Sequence, residues 1–222
     1  MNLNRSEDFD GGGRILSPYF VDRLSSMKRQ FNTCFEWCAG PGYIGRAVLE
    51  DNICENLVLA DISKESLVYG METYGHSSSI KCYRSDNMKQ IPRELLGKID
   101  LVVANPPSYF NIQSDHPLGE RMGCDLRAND RGWQIHKDFY LNIEPFLTDD
   151  AVLLIHEVAV FDKEFYLQDE EVPYDLRDNS PIIDFYEMIK SGNLTLSDVS
   201  VSSEDIMGYF LTILNGRHMY AL

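Results

Sequence analysis

Short apolar runs alternate with longer amphipathic stretches along most of the sequence, and this alternation constrains the fold more than any other feature. Each run is short enough for a buried strand, and each stretch between runs is long enough for a helix. Such an alternation is typical of βαβ units around a parallel sheet. The predicted strands are Thr33–Glu36, Leu57–Ala60, Ile80–Tyr83, Ile99–Ala104 and Ala151–His156. The predicted helices are Tyr43–Glu50, Lys64–Tyr74, Met88–Leu96 and Arg131–Phe146.

The end of the sequence departs from the alternation. Two β-rich runs, Leu194–Val201 and Gly208–Asn215, are joined by a link that is too short for a crossover helix. They are therefore expected to form an antiparallel pair, which completes a mostly parallel seven-stranded sheet in a single domain. Three segments lie outside the pattern, and segments this long are often lids or binding loops. They are Met1–Arg29, Tyr109–Asp130 and Val158–Asn179.

Composition narrows the classes of partner. The 222 residues include 35 acidic and 20 basic residues, for a net charge of −15. No block of five basic residues appears, so a nucleic-acid partner is less favoured than a cationic or neutral one. No apolar stretch is long enough to span a membrane, and we expect a soluble cytoplasmic protein without a membrane partner. The five cysteines contain no C-x-x-C pair, so reduced thiols are expected rather than disulfides or zinc ligands.

The predicted turn between the first strand and the first helix is rich in glycine. Gly40, Gly42 and Gly45 satisfy the pattern G-x-G-x-x-G, which lets the backbone turn tightly and approach a ligand beside a helix N-terminus. The second strand ends at Asp61, 21 residues after Gly40, a spacing at which a carboxylate accepts hydrogen bonds from ribose hydroxyls. These residues predict a nucleoside-containing cofactor.

Polar groups also follow the third and fourth strands, as Ser85-Asp86 and Asn105. The carboxyl ends of parallel strands meet at one edge of a sheet, so all these groups are expected to face one crevice. A dinucleotide or S-adenosylmethionine could bind there. Glu36, just before the glycines, would repel a pyrophosphate but suits the cationic methionine part of S-adenosylmethionine. Asp86 suits the adenine amino group, and the acidic residues together favour S-adenosylmethionine.

Asn105-Pro106-Pro107-Ser108 ends the apolar strand Ile99–Ala104. Neither proline donates a ladder hydrogen bond, so the chain must leave the sheet at the carboxyl end of this strand. A side-chain amide and a rigid Pro-Pro step hold acceptor oxygens in fixed positions. This arrangement suits the N–H groups of an amine or an amide.

From about Thr33 to Asn215, these features resemble class I S-adenosylmethionine-dependent methyltransferases. Glu36-Trp37-Cys38-Ala39-Gly40-Pro41-Gly42 is similar to the first motif of that family, acidic-x-Gly-x-Gly-x-Gly, with Cys38 in place of the first glycine. The resemblance implies a Rossmann-like, doubly wound α/β fold and S-adenosyl-L-methionine as cofactor, with Asp61 at the ribose and Asp86 near the adenine. The other residues implied for the cofactor site are Glu36, Gly40, Gly42, Gly45, Ile62, Ser85 and Asn105.

Asn105-Pro106-Pro107-Ser108 resembles the (Asn/Asp)-Pro-Pro-(Tyr/Phe) motif of amino-methyltransferases, which modify base amino groups or glutamine amides. The resemblance implies nitrogen methylation, in which the Asn105 side-chain oxygen and the Pro106 carbonyl accept hydrogen bonds from the target N–H groups. The implied substrate contacts are Pro107, Ser108 and Tyr109. Ser108 replaces the aromatic residue that stacks on a planar target. Either Tyr109 or Phe110 is expected to substitute for it, or the target is not planar.

The segment Arg14–Leu24 looks like the entry to the domain in release-factor glutamine methyltransferases. That likeness implies that residues 1–30 form a cap on the substrate side of a catalytic core at residues 31–222. It also makes Tyr19 a candidate substrate contact.

The residues favour an N-methyltransferase that acts on an amine, amide or guanidine nitrogen of a small molecule or protein side chain. Three alternatives stay open: an RNA or DNA base amino-methyltransferase, a non-catalytic partner subunit with the same fold, and a NAD-dependent oxidoreductase. Trp133, His136 and Tyr140 share one helix face and are predicted to pack in the core, and His156 is predicted to be structural. The histidines are scattered without ligand spacing, so no metal site is predicted.

Overall fold

The computed structural model describes residues 12–108, 130–157, 185–203 and 206–215. Its strands are β1 (Phe31–Trp37), β2 (Cys54–Asp61), β3 (Ile80–Arg84), β4 (Ile99–Ala104), β5 (Leu147–Glu157), β6 (Leu194–Ser203) and β7 (Ile206–Asn215). Its helices are α1 (Gly13–Ser26), α2 (Tyr43–Glu50), α3 (Lys64–Tyr74), α4 (Gln134–Ile143) and α5 (Phe185–Ser191). Short 3₁₀ turns lie at Arg93–Leu95, Arg131–Trp133 and Glu144–Phe146.

The strands form one sheet in the order β3-β2-β1-β4-β5-β7-β6. β1 to β5 pair in parallel, and β7 runs antiparallel to both β5 and β6. The predicted Rossmann-like α/β fold with a mostly parallel seven-stranded sheet and an antiparallel hairpin is therefore confirmed. In the register of the sheet, Trp37 lies beside Ala60 and Ala104, and Ala104 lies beside Ile155. The residue after each of these positions consequently reaches the same edge of the sheet.

Both faces of the sheet are covered by packed side chains. Successive residues of a strand point to opposite faces, so Cys34 and Val103 enter one core cluster while Phe35 and Val102 enter the other. The first cluster includes residues of α1 and α2, and the second includes residues of α4 and α5. Burial on both faces explains why the parallel strands read as continuous apolar runs in the sequence.

Two parts of the sequence fold differently from expectation. The predicted helix Met88–Leu96 is wrong, because only Arg93–Leu95 forms a 3₁₀ turn there. Pro92 provides no N–H group and disfavours helical backbone at the residue before it. The head, predicted to lie outside the alternation, contains α1, whose Leu16, Phe20 and Leu24 are buried. Gly12, Gly13 and Pro18 obscure this helical spacing in the sequence.

Candidate active site

A cavity of about 310 Å³ lies at the carboxyl edge of the sheet, between the ends of β1, β2 and β4 and the segment after β3. Most of the predicted cofactor residues line it: Glu36, Gly40, Asp61, Ile62, Ser85, Asp86 and Asn105. Pro107 also lines it, as do Trp37 and Cys38 of the first motif. Asn87 and Ile135, which the sequence had not indicated for this site, line it as well. The four polar strand ends that were expected to share one crevice do so in the structure.

The glycine turn needs its glycines for two reasons. Gly40 and Gly42 have positive φ of 53° and 84°, a conformation that glycine adopts without steric cost. A Cβ on Gly42 would lie 2.6 Å from Leu59, and one on Gly45 would lie 2.6 Å from Oε2 of Glu36. Gly42 and Gly45 do not line the cavity but let α2 approach the sheet. Their predicted contact with a cofactor stays a prediction.

Cys38 has a φ of 54°, so it occupies a left-handed position without being glycine. This position explains why a glycine is typical there in the motif that Cys38 departs from. Burial raises the pKa of the Cys38 thiol well above its ordinary value. The thiol at the cavity is therefore neutral at physiological pH.

Gly70 of α3 is a site residue that sequence reasoning missed. A Cβ at Gly70 would lie 2.2 Å from the carbonyl oxygen of Pro41. Only glycine lets α3 pack this closely on the turn that lines the cavity. The available signal was a glycine in the interior of a predicted helix, where it lowers helix stability and needs a packing reason.

Glu36 binds the beginning of α2. Its carboxylate accepts hydrogen bonds from the N–H groups of Ile44, at 3.3 Å, and Gly45, at 2.8 Å, and its side chain is 3% exposed. Burial raises the pKa of Glu36 to about 8, and these N–H groups and Arg46 oppose the shift only in part. Glu36 therefore holds the glycine turn in place as well as facing the cavity.

Asp61 also stabilises the turn. One carboxylate oxygen accepts a hydrogen bond from the N–H of Gly40 at 2.7 Å, and the other accepts from Ser63 at 2.7 Å. Burial raises the pKa of Asp61 above its ordinary value. The N–H of Ile62 also bonds to this carboxylate. A carboxylate has about four lone pairs, so Asp61 remains able to accept a hydrogen bond from a ligand hydroxyl.

The segment after β3 presents both an exposed and a buried group to the cavity. Asp86 is about half exposed and forms an ion pair with Lys89 at 2.6 Å. Asn87 accepts a hydrogen bond from the indole N–H of Trp37 at 2.8 Å, and Ser85 donates its hydroxyl proton to the Asn87 carbonyl at 2.5 Å. These bonds fix the segment on the end of β1.

The Asn-Pro-Pro-Ser segment places its four residues differently. The side-chain oxygen of Asn105 lies 3.1 Å from Nδ1 of His156 at the rim of the cavity. Ser108 is 4% exposed, and its hydroxyl oxygen lies 2.9 Å from the Pro106 carbonyl oxygen and 3.1 Å from Oε2 of Glu157. Asn105 and Pro107 line the cavity, whereas Pro106 and Ser108 are buried and do not line it. Their predicted contacts with a substrate stay predictions.

A buried ion network lies next to this segment. Nδ1 of His136 is 2.5 Å from Oδ2 of Asp130, and Nε2 is 2.8 Å from Oε1 of Glu157. Burial alone would lower the pKa of His136, but the carboxylates of Glu157 and Asp130 raise it to about 9. Trp133, His136 and Tyr140 are all buried, as predicted, but Trp133 lies in the 3₁₀ turn before α4 rather than on the same helix. The network itself was not evident from the sequence.

The remaining candidates are placed as follows. Tyr19 is half-buried on α1 and packs beside the core rather than at the cavity, which Gly13 of α1 reaches. Tyr109 lies outside the described residues, so its predicted substrate contact stays a prediction. Within the described ranges, no group of three or more His, Cys, Asp or Glu could hold a metal ion. None of the helices that the structure describes is both long and apolar enough to cross a membrane.

Solved methyltransferase structures share this fold. A chain of the complex between the Haloferax volcanii Trm112 methyltransferase activator and a methyltransferase aligns with a TM-score of 0.63 and 12% identity, over 97% of this chain and 96% of that one. Ribosomal protein L11 methylase from Lactobacillus delbrueckii subsp. bulgaricus aligns with a TM-score of 0.55 and 12% identity, over 88% of this chain and 75% of that one. TrmK from M. capricolum, in complex with S-adenosyl-homocysteine, aligns with a TM-score of 0.53 and 14% identity, over 88% of this chain and 67% of that one.

These identities are low, so the similarity establishes a common fold and not a common substrate. No protein-family model matches the sequence. No curated protein matches it significantly either.

Proposed function

We propose that this chain is an S-adenosylmethionine-dependent methyltransferase that transfers a methyl group to nitrogen. The observation that carries the proposal is that Asn105 and Pro107 line the same cavity as the glycine turn and Asp61. A cofactor held by the turn and an acceptor held by Asn105 would therefore meet in one cavity. The fold shared with solved methyltransferases supports this proposal.

The cavity fits S-adenosylmethionine better than a dinucleotide. Three carboxyl groups, those of Glu36, Asp61 and Asp86, line the cavity, and no Lys or Arg of the described residues does so. A pyrophosphate needs cations or several free N–H groups, and here Asp61 and Glu36 already accept from the N–H groups of the turn and of α2. The volume of about 310 Å³ is that of a small-molecule site. In this site S-adenosylmethionine would supply an electrophilic methyl group.

The chain's own groups would bind and orient the two reactants. Asp61 offers its remaining lone pair to a ribose hydroxyl, and Asp86 offers a carboxylate to the adenine amino group. The Asn105 side-chain oxygen accepts from the target nitrogen, which directs the nitrogen lone pair and stabilises the positive charge that develops on it. The apolar walls, among them Trp37, Ala39 and Ile135, exclude water from this space.

The proposed acceptor is an amine, amide or guanidine nitrogen of a small molecule or a protein side chain. The net charge of −15 opposes binding to a polyanion, and an acidic surface attracts cationic substrates. The alternative is a base amino group in RNA or DNA, and the observation that favours RNA is that the B. subtilis tRNA methyltransferase TrmK shares the fold.

A labelling experiment decides between these acceptors. The purified chain is incubated with methyl-labelled S-adenosylmethionine and a cell extract, which is then separated into protein, RNA and small-molecule fractions. The extract also supplies any activating subunit, because one similar structure is a complex with a methyltransferase activator. We expect label in the protein or small-molecule fraction. Label in RNA alone would favour the alternative, and no cofactor binding by calorimetry would refute the proposal.

The Asn105→Ala substitution tests the acceptor role. We expect it to abolish methyl transfer and to leave the affinity for S-adenosylmethionine nearly intact, because in this proposal the Asn105 side chain binds the acceptor nitrogen. The matched control is Asn142→Ala, at an exposed position of α4 that does not line the cavity. Unchanged transfer by Asn105→Ala would contradict the assignment.

A further inference from the structure

Two consecutive residues at the carboxyl end of β5 contact the two ends of the Asn-Pro-Pro-Ser segment. Nδ1 of His156 lies 3.1 Å from Oδ1 of Asn105, and Oε2 of Glu157 lies 3.1 Å from the hydroxyl oxygen of Ser108. Successive side chains of a strand point to opposite faces of the sheet. The segment is therefore held from one face at its beginning and from the other face at its end.

The contact with Glu157 is rigid because Glu157 is itself held. Its other carboxylate oxygen lies 2.8 Å from Nε2 of His136, and Nδ1 of the same ring lies 2.5 Å from Asp130. All three side chains are fully buried. The Ser108 hydroxyl continues the chain of contacts to the Pro106 carbonyl, 2.9 Å away. A buried network with every member bonded fixes side-chain positions more firmly than a solvated one.

The contact with His156 is rigid because β7 packs closely against the imidazole ring and leaves it little room to move. A Cβ on Gly208 of β7 would lie 2.8 Å from Nε2 of His156 and 2.7 Å from the Glu157 carbonyl oxygen, and the φ of Gly208 is +123°. The ring of Phe210 packs edge-on against the imidazole at 5.1 Å between centroids. Oδ1 of Asn105 has no hydrogen, so the contact is a hydrogen bond when Nδ1 of His156 carries the proton. That bond holds the Asn105 amide in one orientation and uses one of the two lone pairs of Oδ1, so the N–H of an acceptor would bond to the other lone pair.

We infer that His156 and Glu157 are positioning residues for the methyl-acceptor site, and that they act through Asn105 and Ser108 respectively. This inference rests on the proposed nitrogen methyltransferase function and extends it. The Ser108 side chain then faces the protein interior, where its one hydroxyl hydrogen is shared between two acceptors within reach, Oε2 of Glu157 and the Pro106 carbonyl oxygen. The acceptor is consequently recognised without an aromatic ring at position 108, and Asn105 determines its orientation.

The Ser108 side of the inference is tested by Ser108→Ala, which removes one hydroxyl and adds no volume. We expect kcat for methyl transfer to fall by about tenfold to a hundredfold, the usual effect of a small misplacement in an active site. The KM and the calorimetric affinity for S-adenosylmethionine should stay within about twofold, and Ser108→Thr, which keeps the hydroxyl, should restore most of kcat. The control is Ser202→Ala on β6, a serine of similar burial at 7% exposure.

The His156 side uses His156→Leu, which removes the donor, and His156→Gln, which keeps an N–H donor. We expect kcat to fall in His156→Leu and to be largely retained in His156→Gln. The affinity for S-adenosylmethionine should be unchanged in both variants. Wild-type kcat in Ser108→Ala and His156→Leu would overturn the inference, as would losses that the conservative variants do not restore. A wild-type protein that binds no cofactor and transfers no methyl would instead overturn the proposed function, so the two failures are distinguishable.

Discussion

The ion network around His136 should make the folded state less stable as the pH rises from about 6.5 to about 9. The ordinary pKa of a histidine is 6.5, and the carboxylates of Glu157 and Asp130 overcome the effect of burial and raise it to about 9 here. The folded protein therefore keeps a proton that the unfolded chain releases. Tyr140 also faces the ring, and burial raises its pKa well above its ordinary value, so its phenol stays neutral over this range.

The size of the effect follows from the difference between these two pKa values. A shift from 6.5 to about 9 corresponds to about 3 kcal/mol, since one pKa unit is worth about 1.4 kcal/mol at 25 °C. The contribution is fully present below pH 6.5 and is lost as the pH rises through about 9. Glu36 adds a slope of the same sign, because burial raises its pKa from 4.5 to about 8. Between pH 8 and 9 the folded protein still holds most of the His136 proton, whereas Glu36 has passed the midpoint of its titration. The loss of stability in this interval therefore comes mainly from His136.

Urea unfolding at a series of pH values measures this slope. The comparison is with the double variant Asp130→Asn and Glu157→Gln, in which both partners keep their shape and lose their charge. Subtracting the two curves removes the titration of cysteines and other groups that both proteins share. We expect the wild type to lose about 1 kcal/mol more than the double variant between pH 8 and 9. Imidazole NMR, assigned by the signals missing from His136→Gln, reports the pKa directly, and a value below 7 would refute the reasoning.

Three further predictions concern the cofactor side of the cavity. Gly70→Ala should destabilise the fold by about 1–3 kcal/mol and weaken S-adenosyl-homocysteine binding, because its Cβ would meet the Pro41 carbonyl at 2.2 Å. The control Gly75→Ala strains the backbone at a φ of +82° but meets no atom within 4 Å, so binding in calorimetry should be unchanged. Cys38→Gly should relieve the strain of a left-handed backbone, about 1–2 kcal/mol, although the greater entropy of glycine in the unfolded chain offsets part of this gain. The Tm should therefore rise by up to about 4 °C, and a lower Tm would contradict this. Since a bound cation favours ionised Glu36, the affinity for S-adenosylmethionine should increase from pH 6 to about pH 8 and then level off, and a pH-independent affinity would exclude that coupling.

Local patterns in the sequence were sufficient for most of the fold. The predicted bounds of α2, α3 and β4 agree with the structure, since each is a periodic or apolar segment with clear end signals. α1 was missed because Pro18 interrupts a stripe of buried residues that otherwise has helical spacing. The helix expected at Met88–Leu96 does not form because Pro92 disfavours it. These errors share one cause, in that proline changes the backbone without changing the apolar pattern.

Part of the candidate site could also be predicted from local sequence patterns, and part could not. The sequence by itself determined the residues at the strand ends, Asp61 and Asn105 among them, because parallel strands in register bring their carboxyl ends to one edge. Only the tertiary structure decided that Ser108 turns inward to Glu157, that Asp130 and Glu157 enclose His136, and that Gly70 meets the glycine turn. The position of the strand ends at one edge follows from the regular hydrogen bonding between parallel strands. The inward contacts join residues far apart in the chain, and their geometry exists only once the helices have packed on the sheet.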